Sequence, residues 1–423
     1  MAGTVKIYND GHPCDMGPEL DLDKLLELMQ KNCSCQEISL HSRFFNVLSD
    51  VKVYAECSDF PIKHEFIVQV FYMFIFSFLV LASVGGNLTV AWIVLRHERM
   101  RTVTNYYLFN LAISDLTITI LNTGFSSVYN LYYNWFFPDW YCAFNNLMAI
   151  TPICASVFSM IVMSIDRYMA IVYPLKRRPG KKATLTIICG IWCLAFLFGM
   201  PAFLFSKMEY HIFLNDYDKT VIKDSLCLAD KFPDGDVKTS KLFNLYNHSI
   251  IVMQYVIPLL ILSFTYGRVV YVLRQNTTIG DTRNAESVRT KRKAANMLAL
   301  VVVTFVLMWL PYNVYFLFLT QELETVLSFQ ATLYVYLNIY FLGMSSCALN
   351  PIIYYFMNER FRLGFRYAFR WLPWVKVKRE EYESVFMSDS RASHLHPRHS
   401  NAHNIVYSTS LTQKSGQCSP VPL

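Results

Sequence analysis

Seven long stretches of this chain carry almost no charge, and their length fixes the class of fold before any motif is read. A helix needs about 20 apolar residues to cross a bilayer. The runs are Phe66–Leu95, Thr102–Pro138 (broken only by Asp115), Cys142–Ile165, Ala183–Ser206, Leu242–Gly267, Ala294–Gln321 and Thr325–Asn358. The bilayer core offers backbone groups no water, so segments of this kind cross as helices. Overall composition agrees: 54% hydrophobic against 16% charged residues, with a mean hydropathy of +0.28, where soluble domains carry about 25% charge. The expected fold is all-α, a bundle of seven transmembrane helices.

Lys and Arg collect in alternate connections. Arg96, Arg99 and Arg101 follow the first run, Lys176–Lys182 the third, Arg283–Lys293 the fifth and Arg360–Arg370 the seventh. The other connections are acidic or mixed, and the longest, 207–241, holds 6 Lys against 7 acids. Positive charge is retained inside. The expected protein is a multi-pass plasma-membrane protein with its N-terminus extracellular and its C-terminus cytoplasmic. Residues 1–65 hold 11 acids against 6 Lys and Arg and lack a signal-peptide core. They read as an extracellular tail, with a short amphipathic turn at Asp21–Gln30 and a glycosylation acceptor at Asn32 in Asn32-Cys33-Ser34.

Cys14, Cys33, Cys35, Cys57, Cys142 and Cys227 all fall on that oxidising face and can pair, the four in the tail in three ways. Cys154, Cys189, Cys193 and Cys347 lie mid-span and read as small packing residues. Polar groups also fall mid-span: Asn87, Asp115, Ser156, Ser346 and Asn350. Such groups are costly in lipid and turn inward. One carboxylate among amides and hydroxyls forms either a hydrogen-bonded network or a seat for a small cation. Pro201, Pro258, Pro311 and Pro351 each free a carbonyl within a helical run and permit a kink.

These residues carry a family resemblance. Gly86-Asn87, Leu111–Asp115, Trp135, Asp166-Arg167-Tyr168, Trp192, Pro258 with Tyr266, Phe305 with Trp309-Leu310-Pro311, and Asn350–Tyr354 follow one another on the right spans. In this the chain resembles the rhodopsin-like (class A) G-protein-coupled receptors over about 66–371. Arg99–Tyr107, Asp166–Pro174, Met344-Ser345-Ser346 and Asn358–Phe369 are most similar to tachykinin-type neuropeptide receptors, with luqin- and neuropeptide-Y-like receptors as neighbours. Departures are Ala202, Tyr312 and Asn313 at polar ligand positions, where Asn122 and Asn146 do match, and Trp371-Leu372 in place of a lipidated Cys pair.

The resemblance implies a disulfide between Cys142 and Cys227. It implies that Asp166, Arg167, Tyr168, Tyr266 and Tyr354 serve G-protein coupling. Phe305, Trp309, Pro311, Asn350 and Pro351 would form the activation switch, and Asn122, Asn146, Tyr312, Asn313 and Tyr336 would contact ligand. Asp115, Ser156, Ser346 and Asn350 would hold an allosteric sodium ion, the one cofactor in view.

Ala149 stands where amine receptors of this family place a carboxylate, and 325–358 contains no Lys for a retinal Schiff base. The outer mouth is instead rich in Tyr, Trp and amides (Tyr129, Tyr132, Tyr133, Trp135, Asn145), which suit peptide backbones and amidated C-termini. The expected ligand is a C-terminally amidated, tachykinin-like neuropeptide.

The expected organisation is an N-terminal tail at 1–65, the receptor domain at 66–371 with a short amphipathic cytoplasmic helix at 359–371, and a disordered tail at 372–423. That tail is rich in Ser and His, with Ser384, Ser388, Ser390, Ser393, Ser408, Thr409 and Ser410 open to phosphorylation. A Gq-type heterotrimeric G-protein, an arrestin and a receptor kinase are the implied partners, and no nucleic acid. The spans offer one carboxylate and one His, Asp115 and His248, too few for a membrane enzyme. They show no internal repeat of the sort transporters carry.

Overall fold

The computed structural model describes residues 45–47, 51–56, 64–176, 179–215, 220–229, 231–236, 239–275, 282–319 and 326–386. Among the described residues, seven helices are long and apolar enough to cross a membrane: α1 Phe66–Arg96, α2 Val103–Tyr132, α3 Asp139–Val172, α4 Lys181–Leu204, α5 Lys241–Gln275, α6 with its apolar part at Arg292–Leu319, and α7 Phe329–Met357. A short helix α8, Glu359–Ala368, follows α7, and α9 spans Arg379–Phe386. The expected bundle is present.

Burial sorts the helices. Two thirds of the apolar window of α3 is buried (67%) against 17% in α4, because α3 packs on α2, α4, α5 and α6 at once. Hydropathy cannot make this distinction, since lipid and protein interior are both apolar. Cys189 and Cys193 show the consequence: they lie on the exposed face of α4, whereas Cys154 and Cys347 are buried as expected.

Buried amides tie the bundle together. Asn87 of α1 donates to the Cys347 carbonyl of α7 at 3.0 Å. Asn110 of α2 donates to Ser159 of α3 at 2.7 Å and accepts from the Trp192 indole of α4 at 2.8 Å. Gly86 lets α1 meet α7 closely, for a Cβ there would lie 2.8 Å from the Pro351 ring.

Three spans contain wide, π-type turns. Those at Thr119–Thr123 in α2, Val252–Val256 in α5 and Tyr315–Leu319 in α6 were not legible in the sequence. The one in α5 comes just before Pro258, with the Ile257 N–H reaching back five residues to the Val252 carbonyl. Pro152, inside α3, is a further proline that the sequence reading passed over.

At the Cys142 end lies a β-layer inside an otherwise helical fold. Strands β1 (Phe45–Val47), β2 (Val51–Glu56), β3 (Ser206–Asn215) and β4 (Thr220–Ala229) form one sheet in that order. β3 and β4 make an antiparallel hairpin with Met208 opposite Cys227. β2 runs parallel to β3, Lys52 opposite Glu209, so part of the expected extracellular tail adds a strand to the hairpin. Asn32, Cys14, Cys33, Cys35, Cys57 and the turn at Asp21–Gln30 lie outside the described residues.

At the other end two expectations need correction. The amphipathic helix ends at Ala368, not Trp371. Nor does order stop at 372, since α9 folds back on the α1–α2 turn. Tyr382 stacks on Tyr367 with ring centroids 3.6 Å apart, and its hydroxyl meets His97 Nε2 at 2.5 Å. His97 Nδ1 lies 2.8 Å from the Ile93 carbonyl. That carbonyl only accepts, so Nδ1 carries the proton and Nε2 takes one from Tyr382. Arg99 adds bonds to the carbonyls of Ser384 and Val385 at 3.0 and 3.2 Å. Composition hid this because the tail supplies few anchors, among them Val377, Tyr382, Val385 and Phe386, and the His97 partner of Tyr382 is 285 residues away in sequence. The remaining phosphorylation candidates, from Ser388 onward, lie outside the described residues.

Candidate functional site

The Cys142–Cys227 disulfide joins the first turn of α3 to β4, with the two Cα atoms 5.6 Å apart. It holds the hairpin across that end of the bundle. The α2–α3 connection fastens to the same strand: the Trp135 N–H donates to the Ser225 carbonyl at 2.7 Å, and the Ser225 N–H to Asn134 Oδ1 at 3.0 Å. Trp135 is buried against Tyr129, Phe137 and Tyr141, so its place is in the frame of the mouth.

Beneath the hairpin opens a pocket of about 750 Å³. All five expected ligand residues line it: Asn122, Asn146, Tyr312, Asn313 and Tyr336. Tyr129 and Asn145 line it too, whereas Tyr132 and Tyr133 do not. The walls also carry Asn244, Asn247, His248, Gln254, Tyr255 and Tyr340, none of them foreseen. The α5 members recur at intervals of three, four and seven along a polar helical face, a periodicity visible in the sequence.

These amides differ in freedom. The Asn122 NH₂ donates to Ser126 at 2.9 Å and Asn145 Oδ1 at 3.1 Å, while its oxygen accepts from the Tyr340 hydroxyl at 3.4 Å. It is buried and fully engaged, a brace for the wall more than an open contact. Asn146 donates to Ser206 at 2.8 Å, and its carbonyl oxygen has no partner among the described residues.

Phe305 and Trp309 form the pocket floor, their rings 6.0 Å apart. The same two side chains roof a second, far smaller cavity of about 20 Å³ that contains Asp115, Ser156, Ser346 and Asn350. The Trp309 indole donates to Ser346 Oγ at 3.1 Å, and Asn350 donates to Asp115 Oδ2 at 2.8 Å. One carboxylate and two hydroxyls around a space of one water's size fit a small monovalent cation. A shift of Trp309 would therefore be felt both in the pocket and at Asp115.

At the far end of α3, Arg167 Nη2 pairs with Asp166 Oδ2 at 2.7 Å. Tyr168 turns to another surface, edge-on to Tyr173 at 5.9 Å and close to Phe264. Tyr354 is fully buried, its ring 5.6 Å from Phe361 of α8. Tyr266 is half-buried against the central core. Lys293 on α6 meets Glu359 at the start of α8 at 3.1 Å, an exposed pair worth little by itself.

One group in the hairpin titrates in the physiological range. Asp224 on β4 is buried opposite His211, and burial pushes its carboxyl up to about 7 against the opposing Ser225 N–H bond and the charge of His211. The folded hairpin thus holds a proton that the unfolded one releases near pH 4. Its stability should fall as pH rises from about 4 to about 7 and stay level above that. Backbone hydrogen exchange in β3 and β4, corrected for intrinsic rates, should lose protection over that range in the wild type. In Asp224→Asn it should not change.

Residues 86–354 match the family described as 7 transmembrane receptor (rhodopsin family). The neuromedin-K receptor of Rattus norvegicus is 39% identical over 340 residues, which cover 80% of this chain and 71% of that one. The substance-P receptor of Homo sapiens is 37% identical over 320 residues, 75% of this chain and 74% of its own. The tachykinin-like peptides receptor 99D of Drosophila melanogaster is 38% identical over 316 residues, 74% and 60% of the two chains. With this extent of match, and seven helices joined by the expected motifs, the chain belongs to the rhodopsin family of seven-transmembrane receptors, among the relatives of the tachykinin-type receptors.

Proposed function

We propose that this protein is a plasma-membrane receptor for an extracellular, C-terminally amidated tachykinin-like neuropeptide, and that it activates a heterotrimeric G-protein of Gq type. The observation that carries the reading is the stacked arrangement of pocket, aromatic floor and small polar cavity on the one set of helices that ends in the Asp166–Arg167 pair. A peptide end entering the pocket meets amides and tyrosine hydroxyls able to donate and accept. It presses on Phe305 and Trp309, whose helix carries Pro311 in its interior, a residue that permits a kink. A swing of α6 then strains the Lys293–Glu359 contact and opens the space around Arg167, where Tyr266 and Tyr354 can support it. The alternating Lys and Arg support an N-terminus outside, with Asn32 available for glycosylation. They equally support a cytoplasmic C-terminus open to a receptor kinase and an arrestin.

A panel of amidated neuropeptides tested on expressing cells, read by intracellular calcium, should yield one strong agonist. Its free-acid form should be weaker by roughly 100-fold, since a charge replaces a hydrogen-bond donor in a pocket whose described walls hold no Lys or Arg. Asn146→Ala should cost roughly 10-fold in affinity at unchanged surface expression. Silence across the panel, with expression verified, would count against the peptide class.

We further propose that Asp115, Ser156, Ser346 and Asn350 hold a sodium ion, which supplies a positive charge that stabilises the resting packing. Added sodium should lower agonist affinity in the wild type, and Asp115→Asn should abolish that dependence. A sodium effect that persists in the variant places the ion elsewhere.

A further inference from the structure

We propose that the basin between α8 and α9 binds the polyphosphorylated headgroup of an anionic lipid in the leaflet on which α8 lies. The inference rests on the membrane-spanning reading alone and holds whichever peptide the pocket takes. The basin measures about 990 Å³ and is lined by Arg366, Arg370, Lys376 and Lys378, with Glu381 as the one acid. Four cations against one carboxylate leave an excess of charge. Of the neighbouring acids, Glu383 pairs with Arg379 at 2.6 Å and Glu359 with Lys293 at 3.1 Å, and Glu380 does not line the basin. Lys376 and Lys378 are exposed and have no acidic partner among the described residues.

The two guanidinium groups are positioned in advance. Arg366 bonds through one nitrogen to the Lys376 carbonyl. Arg370 donates to the Tyr367 carbonyl at 2.9 Å and lies 4.2 Å above the Tyr367 ring. Each keeps further N–H groups for phosphate oxygens in the forked geometry that suits them. The opposite wall is fixed as well, because Tyr382 stacks on Tyr367 and α9 is held to His97 and Arg99. A loose polybasic tail would have neither support.

Two features favour a lipid over a free inositol phosphate. Trp371, on the rim, and Trp374 nearby are 73% and 74% exposed. Large indoles left this open beside cations match the aromatic belt of a membrane interface. The buried face of α8, through Phe361, Leu363 and Phe365, packs on the bundle, so the helix runs along the bilayer surface and brings the basin to headgroup level. Basic pockets of this kind hold phosphoinositide-type headgroups.

The test uses native mass spectrometry of the full-length receptor in detergent. It is titrated separately with phosphatidylinositol 4,5-bisphosphate, phosphatidylserine and inositol 1,4,5-trisphosphate. The bisphosphate lipid should bind most tightly. Lys376→Gln with Lys378→Gln should weaken it roughly 30-fold, about five-fold per cation near a charged surface. Peptide binding by that double variant should be unchanged, since the pocket is at the other end of the bundle. Trp371→Ala with Trp374→Ala should weaken the lipid but not the trisphosphate. Wild-type affinity in the lysine variant, or phosphatidylserine binding as tightly, would overturn the proposal. So would trisphosphate binding as tightly as the lipid, which assigns the basin to a soluble phosphate, or tighter binding of a phosphorylated peptide of residues 387–423.

Discussion

Arg167→Ala is expected to abolish G-protein activation while peptide binding stays measurable. Arg167 follows Cys142 by 25 positions on one continuous helix, roughly 37 Å at 1.5 Å per residue. No peptide held beneath the hairpin reaches that far. The side chain is instead paired with Asp166 at 2.7 Å, at the end where α6 and α8 meet through Lys293 and Glu359. In the proposed mechanism, movement of α6 in a receptor without this guanidinium would uncover nothing for the G-protein to engage. Nucleotide exchange on added G-protein should fall by at least roughly 100-fold. Agonist affinity should fall too, by the 5- to 150-fold typical of linked sites, because coupling is reciprocal. Antagonist affinity should hold. Loss of antagonist binding together with signalling would indicate misfolding, and full signalling would remove Arg167 from the mechanism.

Cys142→Ser should eliminate high-affinity peptide binding, surface expression or both. The bridge closes a loop with a sequence separation of 85, worth about 4–5 kcal/mol in the chain-entropy model. The bridge also has a local role. Tyr129 donates to the Cys227 carbonyl at 3.4 Å, and Trp135, Tyr141 and the two cysteines form one buried cluster. Cutting the bond frees the hairpin that roofs the pocket and loosens the frame on which Tyr129 and Asn146 depend. Cys227→Ser should behave alike, and the double variant no worse than either single one, since both remove the same bond. Normal high-affinity signalling by Cys142→Ser would refute this role. Because this bond acts at the mouth and Arg167 at the far end, the two variants separate assembly of the pocket from transmission of its signal.

The seven spans were legible in the sequence because the bilayer imposes a local rule: a long uncharged run has one stable conformation there, whatever its neighbours do. Arg167 and Trp309 were marked only by the family resemblance of their motifs, but the mid-span Asn87, Asp115, Ser156, Ser346 and Asn350 were legible from a second local rule. Polar groups in an apolar run must turn inward, and so they mark the interior seam. What the sequence could not decide was which apolar face meets protein and which meets lipid, as with Cys154 against Cys189. Nor could it show where helices widen into π-type turns, which redirect Asn122 and Gln254 toward the pocket. The parallel pairing of β2 with β3 and the return of α9 onto His97 were equally hidden. Each of these depends on partners far apart in the chain, and a pattern of hydropathy carries no information about which distant surfaces fit. The sequence by itself determined the membrane bundle and its polar seam. Tertiary packing alone decided the shape of the pocket, the roof over it and the basic basin at the opposite end.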